Sequence, residues 1–159
     1  MDNFIKEIER LLKNNDIQKV KDKCNDIIEK EEKNIEQKQT NANTFYNLAL
    51  SYYYLYRADY NEDYYNKAIK FCDESINKET NNKANAHYIK GFVNYYAGKY
   101  ADAIEEYDQT LVLYKNHYYA IYAKAMSLSM LKKYDEAINI IEEYKKSTAN
   151  QDNEYSNII

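Results

Sequence analysis

The spacing of hydrophobic residues predicts that the chain folds into successive amphipathic helices. Within residues 2–13, apolar side chains such as Phe4 and Ile8 recur every three or four positions, the period of one helical face. A short polar stretch separates this helix from a second one, which we expect to begin near Ile17 and to extend to about Gln39. With no Pro and only 2 Gly in 159 residues, little interrupts the helical pattern, and an all-α fold is predicted.

Residues 84–144 contain the same pattern twice, with a period of 34 residues. In this alignment Gly91 corresponds to Ala125, and Ala103 corresponds to Ala137. Small residues at these positions allow paired helices to approach to ~8–9 Å, where larger side chains would push them apart. A fixed period of this length is typical of a solenoid that is built from repeated helix pairs.

The repeated motif resembles the tetratricopeptide repeat (TPR). In the segment FYNLALSYYYLY, the family's W-x2-L-G-x2-Y motif is matched by Phe45, Leu48, Ala49 and Tyr52. The turn sequence A-G-K-Y in the following repeat also matches the family. The resemblance covers residues 42–147, and it implies a right-handed α-solenoid of helix–turn–helix repeats.

We expect a single solenoid over residues 1–151, followed by a C-terminal tail at residues 152–159. The first helix pair is interpreted as a divergent repeat, because Ile8 replaces the small residue that the family has on its first helix. The successive units are the divergent repeat, a helix extension or linker and three clear repeats, at residues 1–34, 35–41, 42–83, 84–117 and 118–151.

The first clear repeat is longer than the two that follow. From Ala49 to Ala68 the chain advances by 19 residues, whereas only 12 separate Gly91 from Ala103. The surplus corresponds to about two helical turns at ~3.6 residues per turn. We therefore predict one extra turn on each helix of this repeat, with the connection near residues 58–62.

Charge and hydropathy exclude several classes of function. The net charge is −4 and the isoelectric point about 5.3, so the chain lacks the dense basic face that nucleic-acid binding requires. No apolar run approaches the ~18 residues of a membrane span, and the acidic, amphipathic N-terminus does not resemble a signal peptide. We expect a cytoplasmic protein that binds neither nucleic acid nor a membrane.

No group of residues points to catalysis or to a cofactor. The two histidines lie far apart in sequence, and we interpret His87 as a packed residue and His117 as a residue at a helix start. Cys24 and Cys72 occupy equivalent inward positions of two repeats, which favours small core residues over reactive thiols. No CxxC, HExxH, GxGxxG or phosphate-binding loop occurs. We therefore expect a protein that is not an enzyme and that holds no metal or other cofactor.

The resemblance also implies where a partner would bind. In TPR proteins, the first helices of successive repeats line a concave groove. On the corresponding face of this chain Tyr, Phe, Met and Asn are frequent and charged residues are scarce. Tyr combines a large contact area with a hydroxyl group and a low entropy cost, which suits peptide recognition. The predicted groove residues are Tyr46, Asn47, Leu50 and Tyr53, then Tyr88, Ile89, Phe92 and Tyr95, then Tyr119, Tyr122 and Met126.

The carboxylate clamp of chaperone-binding TPR proteins is not expected in this groove. The resemblance implies Lys, Arg and Asn side chains on three successive first helices, and only Asn47 fits that pattern. A ligand carboxylate would therefore meet no fixed cation. An apolar or Tyr-compatible segment of a protein partner is the expected ligand.

These features predict a non-catalytic protein-interaction module that binds a peptide segment in a neutral, Tyr-rich concave groove. One alternative is that the tyrosines pack between repeats or reflect A/T-rich codons. Another is a structural protein that self-assembles, for instance as a homodimer, through its last repeat or its groove. A solenoid needs a polar outer face at its end, whereas Ile138, Ile141 and Tyr144 leave the last repeat with an apolar flank. Either another chain or the tail, through Tyr155, Ile158 and Ile159, could cover this flank.

Overall fold

The computed structural model describes residues 2–41, 43–78 and 82–156, and the regular elements in this part of the chain are eight α-helices. The all-α prediction is confirmed. The helices form four successive pairs, each joined by a short turn, in a right-handed solenoid of TPR-like repeats. The helices are α1 (Asp2–Lys13), α2 (Ile17–Glu36), α3 (Thr44–Asp59), α4 (Glu62–Asn77), α5 (Lys83–Tyr96), α6 (Tyr100–Leu113), α7 (Tyr118–Met130) and α8 (Tyr134–Ser156).

The turn inside each helix pair contains one residue with a left-handed backbone. These residues are Asn15, Tyr60, Gly98 and Lys132, with φ between 55° and 74°. When a residue directly after a helix is left-handed, its backbone N–H can donate a hydrogen bond to one of the last carbonyl groups of the helix. The helix can therefore end without a proline. The first pair, α1 and α2, therefore uses the same type of turn as the three clear repeats.

Two helix ends differ from the sequence expectation. Helix α2 ends at Glu36 rather than near Gln39, because Lys38 adopts a left-handed φ of 56° and stops the helix. Helix α8 continues to Ser156, so the predicted tail begins within a helix. The stretch after Tyr144 contains neither Gly nor Pro, the two residues that most disfavour a helix. The predicted tail contact through Ile158 and Ile159 lies outside the described residues.

The prediction that the first clear repeat, α3 and α4, has longer helices than the next repeat is confirmed. Helix α3 continues from Ala49 to Asp59, whereas α5 continues from Gly91 only to Tyr96. Helix α4 also begins earlier relative to its small residue than α6 does, since it starts at Glu62. The extra turn on each helix thus lies at the tip of this repeat. It adds side chains that have no counterpart in the later repeats.

Close helix approach depends on small residues, as the repeat pattern predicts. A Cβ atom added to Gly91 in α5 would lie only 2.7 Å from Cδ1 of Tyr107 in α6, and nearer still to Cε1. Because Tyr107 is fully buried, its ring has no free space into which it could move. Ala103, on α6, is also fully buried. Position 91 therefore tolerates only glycine at this helix separation.

The first two helix pairs share a continuous hydrophobic core that extends to α5. Cys24 and Cys72 lie within this core as free, fully buried thiols. Burial raises the pKa of Cys24 to about 12 and also raises the pKa of Cys72, because the charged thiolate would lose its hydration. Both cysteines are therefore protonated core residues, which confirms the interpretation from sequence.

Candidate functional site

The first helices of the four pairs enclose a cavity of about 460 Å³, which we call the central groove. Helices α1, α3 and α5 and the start of α7 all contribute to its lining. Seven of the eleven predicted groove residues lie on it, namely Tyr46, Leu50, Tyr53, Tyr88, Ile89, Phe92 and Tyr119. The remaining lining includes Ile5 and Glu9 from α1, Arg57 from α3 and His117 from the start of α7.

Buried side chains form the floor of the central groove. Leu50, Tyr53 and Ile89 are almost inaccessible to solvent, so they shape the cavity and offer little surface to a ligand. The ring of Tyr88 meets that of Phe92 edge to face, with 4.9 Å between the ring centres. Burial raises the pKa of Tyr53 and of Tyr88 above its ordinary value, so both hydroxyl groups remain neutral. The floor and one wall are therefore a fixed aromatic framework.

Tyr119 is the most exposed predicted residue on the central groove. It lies on the first turn of α7 and is 67% exposed. His117 precedes it and caps the same helix, because its Nδ1 accepts a hydrogen bond from the backbone N–H of Ala120 at 3.1 Å. Burial lowers the pKa of His117, which keeps the ring neutral and able to accept this bond. The cap therefore fixes the first turn of α7, on which Tyr119 borders the groove.

The groove contains an ion pair that the sequence analysis missed. The guanidinium of Arg57 donates a hydrogen bond to Glu9, donates another to the hydroxyl of Tyr53 at 3.3 Å, and stacks 4.6 Å from the ring centre of Tyr96. The expectation that a ligand carboxylate would meet no fixed cation in this groove was therefore wrong. Arg57 lies on the extra turn of α3, which the later repeats lack. An alignment with those repeats therefore contains no helical position that corresponds to Arg57.

A signal for this arginine was present in the helical spacing. Tyr46, Leu50, Tyr53 and Arg57 follow one another at intervals of four, three and four, which places all four on one helical face. The formal charges of Arg57 and Glu9 cancel, so the cavity has charged groups without a net charge. A ligand carboxylate would have to compete with Glu9 for the guanidinium.

Asn47 does not face the central groove. Its side-chain amide donates a hydrogen bond to the carboxylate of Glu31 on α2 at 2.7 Å. Glu31 is buried, and its second oxygen accepts a bond from Asn34 at 3.1 Å. Buried carboxylates need such partners. Asn47 therefore fixes α3 against α2, and the position that matches the carboxylate clamp is occupied by a contact within the fold.

The other three predicted residues line a second depression. Tyr95, Tyr122 and Met126 border a cavity of about 580 Å³ between α7 and α8, at the end of the solenoid. Tyr122 and Met126 are exposed. The structure thus distributes the predicted concave surface over two depressions, one between the first helices and one at the C-terminal end.

His87 lies between α5 and α6, away from both depressions. Its Nδ1 is 2.7 Å from an oxygen of Glu106, whose other oxygen is 2.9 Å from Lys90. Burial alone would raise the pKa of Glu106, but the hydrogen bonds from His87 and Lys90 outweigh burial and lower it. His87 is therefore a packed residue in an ion-pair network.

The described residues offer neither a metal site nor a membrane span. The residues that the structure describes include no group of three or more His, Cys, Asp or Glu side chains that could hold a metal ion. Within the same part of the chain, no helix is long and apolar enough to cross a membrane.

Comparisons with known proteins agree with this architecture. A family model described as "Anaphase-promoting complex, cyclosome, subunit 3" matches residues 61–144, slightly more than half of the chain. Two crystal structures of MamA share the fold, each with a TM-score of 0.52, at 20% and 19% sequence identity. They cover 94% and 96% of this chain, which in turn covers 86% and 89% of theirs, so the similarity includes α1 and α2. No curated protein matches the sequence.

The TPR-like repeat is generally a non-catalytic fold that mediates contacts between proteins. The match to the family model, the phased small residues and the eight paired helices all point to such a module or scaffold. The chain belongs to the family described as anaphase-promoting complex, cyclosome, subunit 3, a family of TPR-like helical repeats.

Proposed function

We propose that the chain binds an apolar segment of a partner protein in its central groove. The observation that carries this proposal is the contrast between Tyr119 and the floor of the same cavity. Tyr119 is 67% exposed, while Leu50, Tyr53 and Ile89, which line the cavity with it, are almost fully buried. A rigid apolar floor together with an exposed tyrosine offers a ligand both a formed cavity and a side chain that can contact it.

The floor is held in place before any ligand arrives. Tyr53 contacts Phe92 at a ring-centre distance of 6.0 Å, and Phe92 contacts Tyr107 behind it at 5.8 Å. These rings connect α3, α5 and α6, so the floor is part of the core. A preformed site reduces the ordering cost of binding on the protein side. The ligand would lose most of the conformational entropy.

The polar groups on the groove suit an extended or helical peptide. The lining includes the side chains of Asn85, Tyr46 and Tyr119, which can exchange hydrogen bonds with a peptide backbone. The Arg57–Glu9 pair has no net formal charge, so it does not select strongly for an acidic or a basic ligand. The proposed ligand is therefore an apolar or Tyr-compatible segment that leaves this ion pair intact.

Site-specific photo-crosslinking tests the proposal. Tyr119 is replaced by p-benzoyl-phenylalanine, and the crosslinked partner and its contact segment are identified by mass spectrometry. The same replacement of Tyr60 provides a matched control, because Tyr60 is 62% exposed but lies at the α3–α4 turn, outside the groove. We expect a defined segment to crosslink from position 119 and not from position 60. Equal crosslinking from both positions would contradict the proposal.

A single variant on the wall of the groove tests binding and folding together. Tyr88→Ala should abolish capture of the crosslinked segment. Tyr88 also contacts Tyr107 and His117, so its loss affects the fold as well as the groove. Circular dichroism and thermal melting must therefore accompany the binding measurement. A collapsed melting curve would assign Tyr88 to packing, and unchanged capture with an intact fold would exclude the groove.

A further inference from the structure

The depression at the C-terminal end of the solenoid forms an apolar surface, which we call the C-terminal face. It is formed by α7 and α8, chiefly through Tyr122, Met126, Met130, Ala137, Ile138 and Ile141. Met126 is 49% exposed and Ile138 is 54% exposed. Exposed apolar side chains that surround a cavity are typical of an interaction surface.

The same positions one repeat earlier hold the next helix. Tyr88, Phe92 and Ala103, which correspond to Tyr122, Met126 and Ala137, belong to the cluster that packs around Ala123 of α7. The C-terminal face is thus the surface on which a following first helix would lie. Because the backbone repeats with the same 34-residue period, a helix can approach this face as α7 approaches α5 and α6.

An ion pair accompanies each of the last two junctions between repeats. Lys90 of α5 lies 2.9 Å from Asp73 of α4, and Lys124 of α7 lies 2.6 Å from Asp108 of α6. The side chains of Lys90 and Lys124 are 21% and 22% exposed, and both aspartates are 47% exposed. The two pairs therefore lie at equivalent positions with similar exposure, and they differ in that Lys90 also pairs with Glu106.

The sequence around these pairs is also repeated. Each lysine directly precedes the small residue of its first helix, Gly91 or Ala125. The acidic position recurs in α8 as Glu142, which lies 34 residues after Asp108 and borders the C-terminal face. No cation within the described residues forms an ion pair with Glu142. The third acidic position is therefore present, and the lysine that would complete the pair is not supplied by this part of the chain.

We propose that the C-terminal face binds an amphipathic helix of a partner protein, in which a lysine directly preceded by a small residue pairs with Glu142. The small residue allows close approach to Ala137 and Ile141, as Ala123, which directly precedes Lys124, approaches Ala103 and Tyr107 in the preceding repeat. The charge of Glu142 fixes the position of the helix along the face, and the apolar side chains supply most of the contact area. This surface is separate from the central groove.

Segments of the chain itself fit this role poorly. Helix α8 continues to Ser156, about 27 Å beyond Ile138 at ~1.5 Å per residue, so the described end of this helix lies far from the face. The two described first helices that have a lysine at this position, α5 and α7, are already packed within the fold. The apolar side of α1 is likewise buried, through Ile8 and Leu11.

Methionine methyl signals allow the proposal to be tested on the full chain. The chain has 3 Met, and two of them, Met126 and Met130, line the C-terminal face. The protein is labelled with 13C at its methionine methyl groups and titrated with a synthetic peptide of residues 116–132, which carries Ala123 and Lys124. In the peptide, the positions of Tyr118 and Tyr122 are joined by a lactam bridge, since both side chains are partly exposed in the fold and neither belongs to the cluster around Ala123. This bridge holds the peptide helical.

We expect the peptide to shift the Met126 and Met130 signals and to leave the Met1 signal unchanged. Glu142→Lys should weaken binding about tenfold, and a peptide with Lys124→Glu should restore most of the affinity to that variant, because the charges are exchanged. Glu143→Lys is the matched control. It makes the same change of charge on the neighbouring residue, which does not border the face, and it should have little effect.

Three results would overturn the proposal. The first is the absence of shifts at Met126 and Met130 at millimolar concentrations of the helical peptide. The second is an equal effect of Glu142→Lys and Glu143→Lys. The third is that the two signals shift with protein concentration alone while light scattering reports a doubled mass, since a second copy would then occupy the face. Tyr119→Ala should leave peptide binding unchanged, which separates this test from that of the central groove.

Discussion

The third and fourth helix pairs have the same spacing of small residues but differ in what covers them. In the third pair, Tyr107 and Ala103 are fully buried, because α7 packs over α5 and α6. In the fourth pair, the corresponding Ala137 is still buried, whereas Ile141 is only half-buried, and both border an open depression. The large residue at this position of the repeat is therefore fully or partly buried according to the neighbour that follows it, as expected for a solenoid in which each repeat contacts only its neighbours.

In the two pairs, different residues lie where the helices approach closely. In the third pair a large ring, Tyr107, lies against a glycine, Gly91. In the fourth pair the corresponding residues are the smaller Ile141 and Ala125, which belong to one hydrophobic cluster. The residues at these two positions change together, so a methyl group on one helix is matched by a smaller side chain on the other. Interiors packed to crystal-like density require this kind of compensation.

The largest expected difference between the two pairs concerns Ala103 and Ala137. Ala103→Leu should lower the free energy of unfolding by about 3 kcal/mol, because α6 is enclosed there by α5 and α7. Ala137→Leu should cost only about 1 kcal/mol, since the new side chain can extend into the open C-terminal face. Urea denaturation of both variants measures the difference. Equal costs would show that the end of the solenoid is packed as tightly as its interior.

A smaller effect is expected at Gly91. Gly91→Ala should lower the free energy of unfolding by about 2 kcal/mol, because the added methyl group overlaps the buried ring of Tyr107. The higher helix propensity of alanine offsets only part of this cost. Combining it with Tyr107→Ile reproduces the residue pair of the fourth repeat. The double variant should then be more stable than the sum of the two single changes predicts. Strict additivity in denaturation experiments would contradict the proposed compensation.

The smallest effect concerns the ion-pair network of the third pair and its dependence on pH. The pKa of Glu106 lies below its ordinary value of 4.5, so its ionised form stabilises the fold above that pH. This contribution is lost as the pH falls through the lowered pKa of the folded state. Glu106→Gln should therefore cost about 1 kcal/mol at pH 7 and progressively less below pH 4.5. A cost that stays constant between pH 7 and pH 3 would exclude ionisation of Glu106 as its origin.

The sequence predicted those features that repeat. The fold follows from small residues at Gly91, Ala103, Ala125 and Ala137, because close helix approach imposes the same requirement on every pair. The extra length of α3 and α4 was likewise predictable from the interval between Ala49 and Ala68. These features depend on local spacing, which the sequence contains directly.

Features that depend on contacts between distant elements were harder to predict. Arg57 lies on the extra turn of α3, and its partner Glu9 belongs to α1, so no repeat alignment connects them. The helical spacing of Asn47 placed it on the groove face of α3, but its side chain donates a hydrogen bond to Glu31 on α2. In both cases a charged partner in the divergent first pair decides the geometry, and sequence spacing within one helix contains no information about it.

The most direct test of the account is the affinity of the crosslinked partner segment for two variants of the chain. Tyr119→Ala should weaken binding by more than about tenfold in isothermal titration calorimetry, because a central aromatic side chain often contributes ~2 kcal/mol or more. Tyr60→Ala, which removes an equally exposed tyrosine at the α3–α4 turn, should leave the affinity unchanged. Wild-type affinity in Tyr119→Ala would show that the central groove is not the binding site.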